Sequence, residues 1–312
     1  MRMAGRKCTS CSRLHRLFSK SCGKNWPAPA VVLTYKTVEN MIAWLSFIPA
    51  LYLGALLMVS AAILSIVALL IFRRFVSASL LKTHNDSAGV IFQIIGTLYT
   101  VLLAFVVITV WGSLQTAEQN ATDEAGTVGD MIRDVGFFPE PIRSDAHKRL
   151  REYVNAVVEN EWPAMAVGKS SPRVWNALSE VFKSVSQIQP MTARQINVHS
   201  ELLKRVNDLS MQRRHRLLIS RQEIPTILWY TLLFGAAMMV FLCFMLGVES
   251  AVVHATLTGS LVMMMVMALF LIHEIDHPFR GEIHVDPSAM QLILKQFDNM
   301  AQDYSLKAAL QK

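Results

Sequence analysis

The sequence predicts an all-α membrane protein with four transmembrane helices and a helical cytosolic domain between the second and the third. Four apolar stretches, each roughly 20 residues or longer, contain no Asp, Glu, Lys or Arg, and a helix of that length crosses a hydrocarbon layer of about 30 Å. The polar stretches between them show helical periodicity and no convincing strand alternation. With 53% hydrophobic residues, the chain is also too apolar for an ordinary soluble globule.

Residues 1–40 are predicted to form a disordered basic tail. They hold eight Lys or Arg and one acid, whereas the remainder of the chain has 22 residues of each sign. The net charge of +7 therefore belongs to the tail, and nucleic-acid binding is not expected. Cys8, Cys11, His15 and Cys22 permit a zinc site, but no apolar periodicity around them would fold about a metal. The alternative to a zinc site is a disordered basic tail, or an upstream extension of a protein whose natural start is Met41.

The first two transmembrane helices are predicted at 41–72 and 89–111. The first is about twice as long as the apolar core of a cleavable signal peptide, so it is expected to anchor the chain. Plotted at about 100° per residue, the small and polar residues of the second fall on one stripe. Such a stripe either lines a pore or lets helices pack closely. Its members are Gln93, Gly96, Thr97, Thr100 and Ala104.

Apolar side chains flank this stripe and are candidates for a constriction that gates a pore by dewetting. They are Phe92, Tyr99, Leu103 and Val110. Of these, Tyr99 and Leu103 join the five stripe residues as the predicted pore-lining set.

Residues 112–224 are predicted to form the cytosolic helical domain. Helices are expected at 115–135, 143–166, 172–186 and 192–221, because apolar residues recur there at helical spacing. The first is expected to continue the preceding transmembrane helix without a break.

The third and fourth transmembrane helices are predicted at 225–246 and 252–272, joined as an antiparallel hairpin by a short loop. Residues 273–312 then form a cytosolic exit segment and a C-terminal helix. Four spans place both termini on one face, where the tail carries eight basic residues, against three, Arg73, Arg74 and Lys82, in the opposite loops. The positive-inside rule therefore predicts a multi-pass protein of the cell inner membrane with both termini in the cytoplasm.

No motif for catalysis is present: the chain has no phosphate-binding glycine loop, no nucleophile-base pair and no His-Glu-x-x-His helix. An enzyme is not expected. Because charged residues are absent from the spans, a passive route is favoured over a driven pump. The exit segment offers Glu274, Asp276, Glu282 and Asp286 around a Pro-Phe turn. An oxygen-rich turn of this kind either holds calcium or is simply solvated.

Three segments carry a resemblance to a known family. YTVLLAFVVITVW at 99–111, ENEWPAM at 159–165 and DHPFRGEIHVDP at 276–287 are similar to a bacterial family of bestrophin-like integral membrane proteins, catalogued as a domain of unknown function. The order of the spans and the exit motif resemble, more distantly, the bestrophins themselves. The resemblance covers about residues 41–310. The exit motif residues are Asp276, Pro278, Phe279 and Gly281.

Bestrophins are pentameric anion channels whose second membrane helix lines the pore and whose acidic run after the last span takes part in calcium binding. The resemblance therefore implies a homo-oligomeric channel for small anions, with the 89–111 helix at the pore. It assigns a calcium role at most to Glu282 and Asp286, since Arg280 interrupts the motif here; no other cofactor is implied. The alternative is a membrane-anchored scaffold whose helical domain recruits a partner, without transport.

Overall fold

The computed structural model describes residues 50–77 and 81–310, and all regular structure within them is helical. The predicted tail at 1–40, with its cysteines and His15, and the start of the predicted 41–72 span lie outside the described residues. In chain order the helices are α1 (Ala50–Phe75), α2 (Asn85–Val135), α3 (Ile142–Ala156), α4 (Trp162–Met165), α5 (Pro172–Ser186), α6 (Ala193–Ile219), α7 (Thr226–Phe244), α8 (Ala251–Ile275) and α9 (Ser288–Leu310).

Four of these helices, α1, α2, α7 and α8, are long and apolar enough to cross a membrane. Helices α3 to α6 lie between the second and third of them in sequence and form an extramembrane domain with the end of α2 and with α9. The predicted all-α membrane fold is therefore confirmed.

Helix α2 runs without interruption from the membrane into the extramembrane domain. Its 51 residues extend over roughly 75 Å at about 1.5 Å per residue. Beyond the membrane its buried face consists mainly of small residues, Ala117, Ala121 and Ala125, followed by Val128. Small side chains at this spacing let α6 approach α2 closely. The expected continuity of the two helices is thus observed.

The extramembrane domain has one apolar core, and its helices bury residues at the predicted spacing. Leu150, Val154 and Val157 are fully buried on one side of α3 and its extension. Between α3 and α4 the backbone widens into a π-helical turn, Val157–Glu161. Pro163 follows this turn and has no N–H to donate, so ordinary α-helical hydrogen bonding could not continue through it.

Residues 81–84 before α2 and the α7–α8 loop at 245–250 meet at the end of the spans remote from the extramembrane domain, here called the loop end. The amide of Gly247 donates to the Asn85 side-chain oxygen over 2.9 Å. A Cβ at Gly247 would overlap the Lys82 backbone, so only glycine permits this close approach.

Candidate functional site

The polar part of the α2 stripe lies on the surface of the protomer. Gln93, Thr97, Thr100 and Ala104 are all exposed there. The Thr97 hydroxyl donates to the Gln93 carbonyl over 2.8 Å, so its hydrogen-bond donor is satisfied within the helix as membrane burial requires. No helix of the described part of the same chain covers this face. It is therefore available to water, lipid or a second copy.

The other predicted pore-lining residues lie elsewhere. Tyr99 is about 200° around α2 from Thr97, its side chain is buried, and its hydroxyl donates to the Leu232 carbonyl over 3.1 Å. Gly96 lies beside Met239, and Leu103 packs, half-buried, against the same seam. These three residues thus join α2 to its neighbours.

The apolar residues that flank the stripe, predicted as a constriction, face this seam within the protomer. Phe92 and Val110 also face the seam between α2 and its neighbours in the protomer. Tyr99 in particular is buried within one chain, so it does not belong to the exposed face. The sequence could not distinguish these outcomes, because a large apolar residue suits a constriction and a helix seam equally well.

The Tyr99 ring packs directly against Gly235 on α7. We expect Gly235→Ala to destabilise the protein by about 1–3 kcal/mol, because the added methyl group would overlap this ring. A Cβ added at Gly235 would lie 2.5 Å from Cδ2 and 2.6 Å from Cε2 of that ring. Thermal unfolding in detergent measures the change. Gly112→Ala is the matched control, since a Cβ there meets nothing within 4 Å. Equal unfolding temperatures for the two variants would contradict the close packing.

A buried ionic cluster, not predicted from the sequence, lies beneath the membrane half of the molecule. Arg216 Nε donates to Glu124 Oε2 over 2.7 Å, and Arg216 Nη2 donates to Glu161 Oε2 over 2.9 Å. Arg213 Nε donates to Glu161 over 3.0 Å, and the Tyr153 hydroxyl donates to Glu124 over 2.6 Å. Two positive and two negative side chains thus neutralise one another where all are buried.

The electrostatics of this buried cluster keep Arg216 charged. Burial alone would lower the pKa of Arg216, but the Glu124 carboxylate beside it raises that pKa. Burial, followed by the charge of Glu124, raises the pKa of Tyr153 well above its usual value, so the phenol remains a hydrogen-bond donor. The cluster therefore connects α2, α6 and the π-helical turn through fully satisfied ionic hydrogen bonds.

The sequence did contain a signal for this cluster. Glu124 follows Ala117 and Ala121 at helical spacing on α2, and Arg213 and Arg216 follow Leu209 on α6. A charged residue at a position that the periodicity assigns to the core must find a partner there. Which helix supplies the partner was not deducible, because Glu124 and Arg216 are 92 residues apart.

The exit segment packs onto the extramembrane domain through the Trp162 indole. Trp162 Nε1 donates to the Val285 carbonyl over 2.9 Å, and its ring meets Phe279 edge-on at 5.7 Å. The Arg216 guanidinium lies 4.9 Å from the same indole, within the range of a cation–π interaction. Two of the segments that carry the family resemblance, 159–165 and 276–287, therefore touch each other beside the buried cluster.

The remaining exit motif residues have structural roles. Asp276 is buried, and its Oδ1 accepts a hydrogen bond from the Ile224 amide over 2.8 Å, just before α7. Pro278 is buried beside Phe279, and the Pro278 carbonyl accepts from the Val285 amide over 2.8 Å. Gly281 has a φ of +87°, in the left-handed region that favours glycine.

Calcium binding by the acidic residues of the exit segment stays a prediction, and the structure places these residues at the surface of the protomer. Glu282 and Asp286 are exposed, and Asp286 lies 3.1 Å from His284. Among the residues that the structure describes, no three of His, Cys, Asp and Glu come together in a way that could hold a metal.

The exposed face of α2 continues past the membrane into an open polar cavity of about 770 Å³. Its lining includes Gln115, Gln119 and Asp123 of α2 and His215 of α6. His215 Nδ1 lies 3.0 Å from the Asn120 side-chain oxygen, which fixes the ring against α2. The polar surface of α2 is therefore longer than the membrane span.

Comparison with known proteins identifies relatives of the whole architecture. The family model of the Bestrophin-like domain matches residues 59–290, and no curated protein matches the chain. A crystal structure of a membrane protein variant has a TM-score of 0.58 at 12% identity, covering 78% of this chain and 98% of that chain. A variant of a bacterial bestrophin homologue from Klebsiella pneumoniae has a TM-score of 0.56 at 12% identity, covering 78% and 98%. At such identities the likeness shows the fold alone.

Proposed function

The chain belongs to the bestrophin-like family, and on that premise we propose that it is a passive channel for small anions, formed at the centre of a homo-oligomer. The observation that carries the proposal is the exposed, uncharged polar face of α2 at Gln93, Thr97 and Thr100. This is the helix to which the family resemblance assigns the pore. A polar face toward lipid is unfavourable, so water or a second copy is its better neighbour.

Passive conduction agrees with the chemistry of the spans. The apolar parts of α1, α2, α7 and α8 contain no Asp, Glu, Lys or Arg, and driven transporters usually need such groups at membrane depth. The side-chain amide of Gln93 can donate weak hydrogen bonds to an anion without holding it, as permeation requires.

A ring of copies could form with the exposed polar face of α2 toward its centre, without any change in the structure of the protomer. Cyclic symmetry places the same face of every α2 around one axis, and the buried seam at Tyr99 would then hold each α2 against its own α7. In this proposal the protein lies in the inner membrane, with the extramembrane domain and both termini on the cytoplasmic side. The reason is the positive-inside rule, because the basic residues of the chain concentrate on that side. The domain would gate the pore, because it is built on the same continuous helix α2.

Purified protein reconstituted into liposomes tests the proposal. We expect chloride flux above that of liposomes containing heat-unfolded protein, and the flux is measured both with and without calcium. Absence of flux from a preparation that elutes as a single folded species would contradict a channel.

The mass of the protein in detergent tests the assembly separately. A ring of about five copies encloses a central pathway, as cyclic symmetry requires. A monomer or dimer encloses none, and that result would favour the membrane-anchored scaffold instead.

A further inference from the structure

The connection between α4 and α5, residues 166–171, begins a surface that is both apolar and basic. Val167 is 64% exposed, and Trp175 in the first turn of α5 is 58% exposed. Lys169 and Arg173 lie between them in sequence and are also exposed. No Asp or Glu occurs from position 162 to position 179. These four residues are here called the basic turn.

Contacts at both ends of the α3–α5 hairpin place the basic turn on the membrane side of the extramembrane domain. At the far end, the Ser184 hydroxyl of α5 donates to Asp145 Oδ2 over 2.8 Å. Asp145 lies in the first turn of α3, shortly after α2 ends at Val135. At the near end, Arg216 Nη1 donates to Met165 Sδ over 3.1 Å. The chain therefore turns back beside the last turns of α6, which lead into the membrane helix α7.

The basic turn lies close to the headgroup layer of the bilayer. Asn120 Nδ2 donates to the Gln212 carbonyl over 3.0 Å, and Asn120 Oδ1 lies 3.0 Å from His215 Nδ1, so α2 and α6 run side by side in opposite directions. Arg216 is therefore level with a point on α2 about 9 Å beyond Trp111, at about 1.5 Å per residue. The headgroup layer is about 5–8 Å thick on each side of the bilayer, and long side chains with a polar tip extend across the remainder.

The two cations of the basic turn have no carboxylate partner within the protomer. In the part of the chain that the structure describes, neither Lys169 nor Arg173 forms an ion pair. Arg213 behind them differs, because it is buried and paired with Glu161. Unpaired cations beside exposed apolar side chains match an anionic headgroup layer, where lipid phosphates attract Lys and Arg and where Trp is favoured.

We propose that the basic turn docks on the surface of the bilayer, on the leaflet that faces the extramembrane domain, and that anionic phospholipid is its partner. The headgroup phosphates pair with Lys169 and Arg173. The Trp175 indole and the Val167 side chain enter the layer beside them, as the apolar side of a surface-bound segment does. The bilayer surface then holds the α3–α5 hairpin at its membrane end, in addition to its packing on α2 and α6.

Hydrogen–deuterium exchange of the full-length protein in nanodiscs tests this docking without requiring conduction. The backbone amides of residues 166–175 are compared in phosphatidylglycerol and in phosphatidylcholine nanodiscs at about 0.1 M salt, with the amides of α6 as an internal reference. We expect about tenfold slower exchange in phosphatidylglycerol, because each basic residue at an anionic surface strengthens attachment about fivefold. At about 1 M salt the difference should disappear, since the screening length falls from about 10 Å to about 3 Å.

Two double variants with the same change of charge show which cations are responsible. Lys169→Gln with Arg173→Gln should abolish the difference between the two lipids. Lys183→Gln with Lys204→Gln is the matched control, because both lysines are exposed but lie farther from the membrane along α5 and α6. This control should keep the tenfold difference. A loss of the difference in both double variants would show a general effect of net charge and overturn the assignment.

The apolar half of the basic turn is tested with Trp175→Ala. We expect faster exchange of residues 166–175 in both lipids, whereas Phe182→Ala should leave it unchanged. Phe182 is 45% exposed on the same side of α5, but it lies about two turns farther from the membrane.

Equal exchange in the two lipids would overturn the proposal. If that equal exchange is slow, the basic turn contacts a neighbouring copy of the chain instead of lipid; if it is fast, the turn is free in solution. The result is independent of the proposed channel, since a protein that passes no chloride can still show the dependence on phosphatidylglycerol.

Discussion

Arg216→Met is expected to lower the free energy of unfolding by about 3–5 kcal/mol, because it leaves a buried carboxylate without its cation. Glu124 would lose the two hydrogen bonds from Arg216 at 2.7 and 3.1 Å, and only Tyr153 would remain beside it. Glu161 would keep Arg213. Methionine fills most of the volume of the arginine side chain. The decrease in the free energy of unfolding therefore reflects the unpaired charge of Glu124 more than a cavity.

Thermal unfolding in detergent measures this change, with Arg151→Met as the control. Arg151 pairs with Asp298 at 2.5 Å, but the two side chains are 44% and 53% exposed, and such a surface pair contributes at most about 1 kcal/mol. If the two variants unfold at the same temperature, the buried cluster is not stabilising. Adding Glu124→Gln to Arg216→Met should restore part of the loss, because it removes the unpaired charge itself.

Thr97→Glu is expected to reduce chloride flux about a hundredfold, whereas Thr97→Lys should leave flux at or above the wild-type rate. Both substitutions place a charge at membrane depth and carry a similar cost of insertion. They differ only in sign, and a ring of carboxylates repels anions while a ring of ammonium groups attracts them. The pair therefore separates a pore-facing position from a position where any charge disturbs folding.

Chloride flux in liposomes and elution from size exclusion are measured together for these two variants. Equal losses of flux in Thr97→Glu and Thr97→Lys would place residue 97 against lipid or another helix. The same pair of substitutions at Leu98, which is 67% exposed and lies about 100° from Thr97 around α2, gives the matched comparison. There the sign of the charge should matter less than at Thr97.

The membrane architecture was predictable because each element has a local cause. The spans follow from runs of uncharged residues long enough for the bilayer, and the continuity of α2 follows from helical periodicity that no proline interrupts between positions 89 and 135. The sequence pattern puts the small and polar residues of α2 on one stripe, whereas in the structure Gly96 lies at the seam beside Met239 and the other members are exposed. Each of these inferences needed only neighbours within a few turns of helix.

The contacts between distant segments were not predictable in the same way. Tyr99 was grouped with the pore-lining residues although it packs on Gly235, since periodicity gives the angle of a side chain but not the helix that covers it. The pairing of Glu124 with Arg216 and the contact of Trp162 with Val285 join residues 92 and 123 positions apart. Such pairs depend on how the helices are arranged, which local patterns do not encode.

Because α2 is one unbroken helix, its membrane end and its extramembrane end move together when it tilts. With a pivot at Trp111, where it leaves the membrane, the arm to Gln93 is about 27 Å and the arm to Val135 about 36 Å at about 1.5 Å per residue. A tilt of about 5° moves Gln93 by about 2 Å in one direction and Val135 by about 3 Å in the other. In the proposed ring, the circle of Gln93 side chains would then widen by about 4 Å in diameter, more than the width of a water molecule of about 2.8 Å. In the proposed ring, a movement of about 3 Å at Val135 would therefore be enough to change whether the axis is wet.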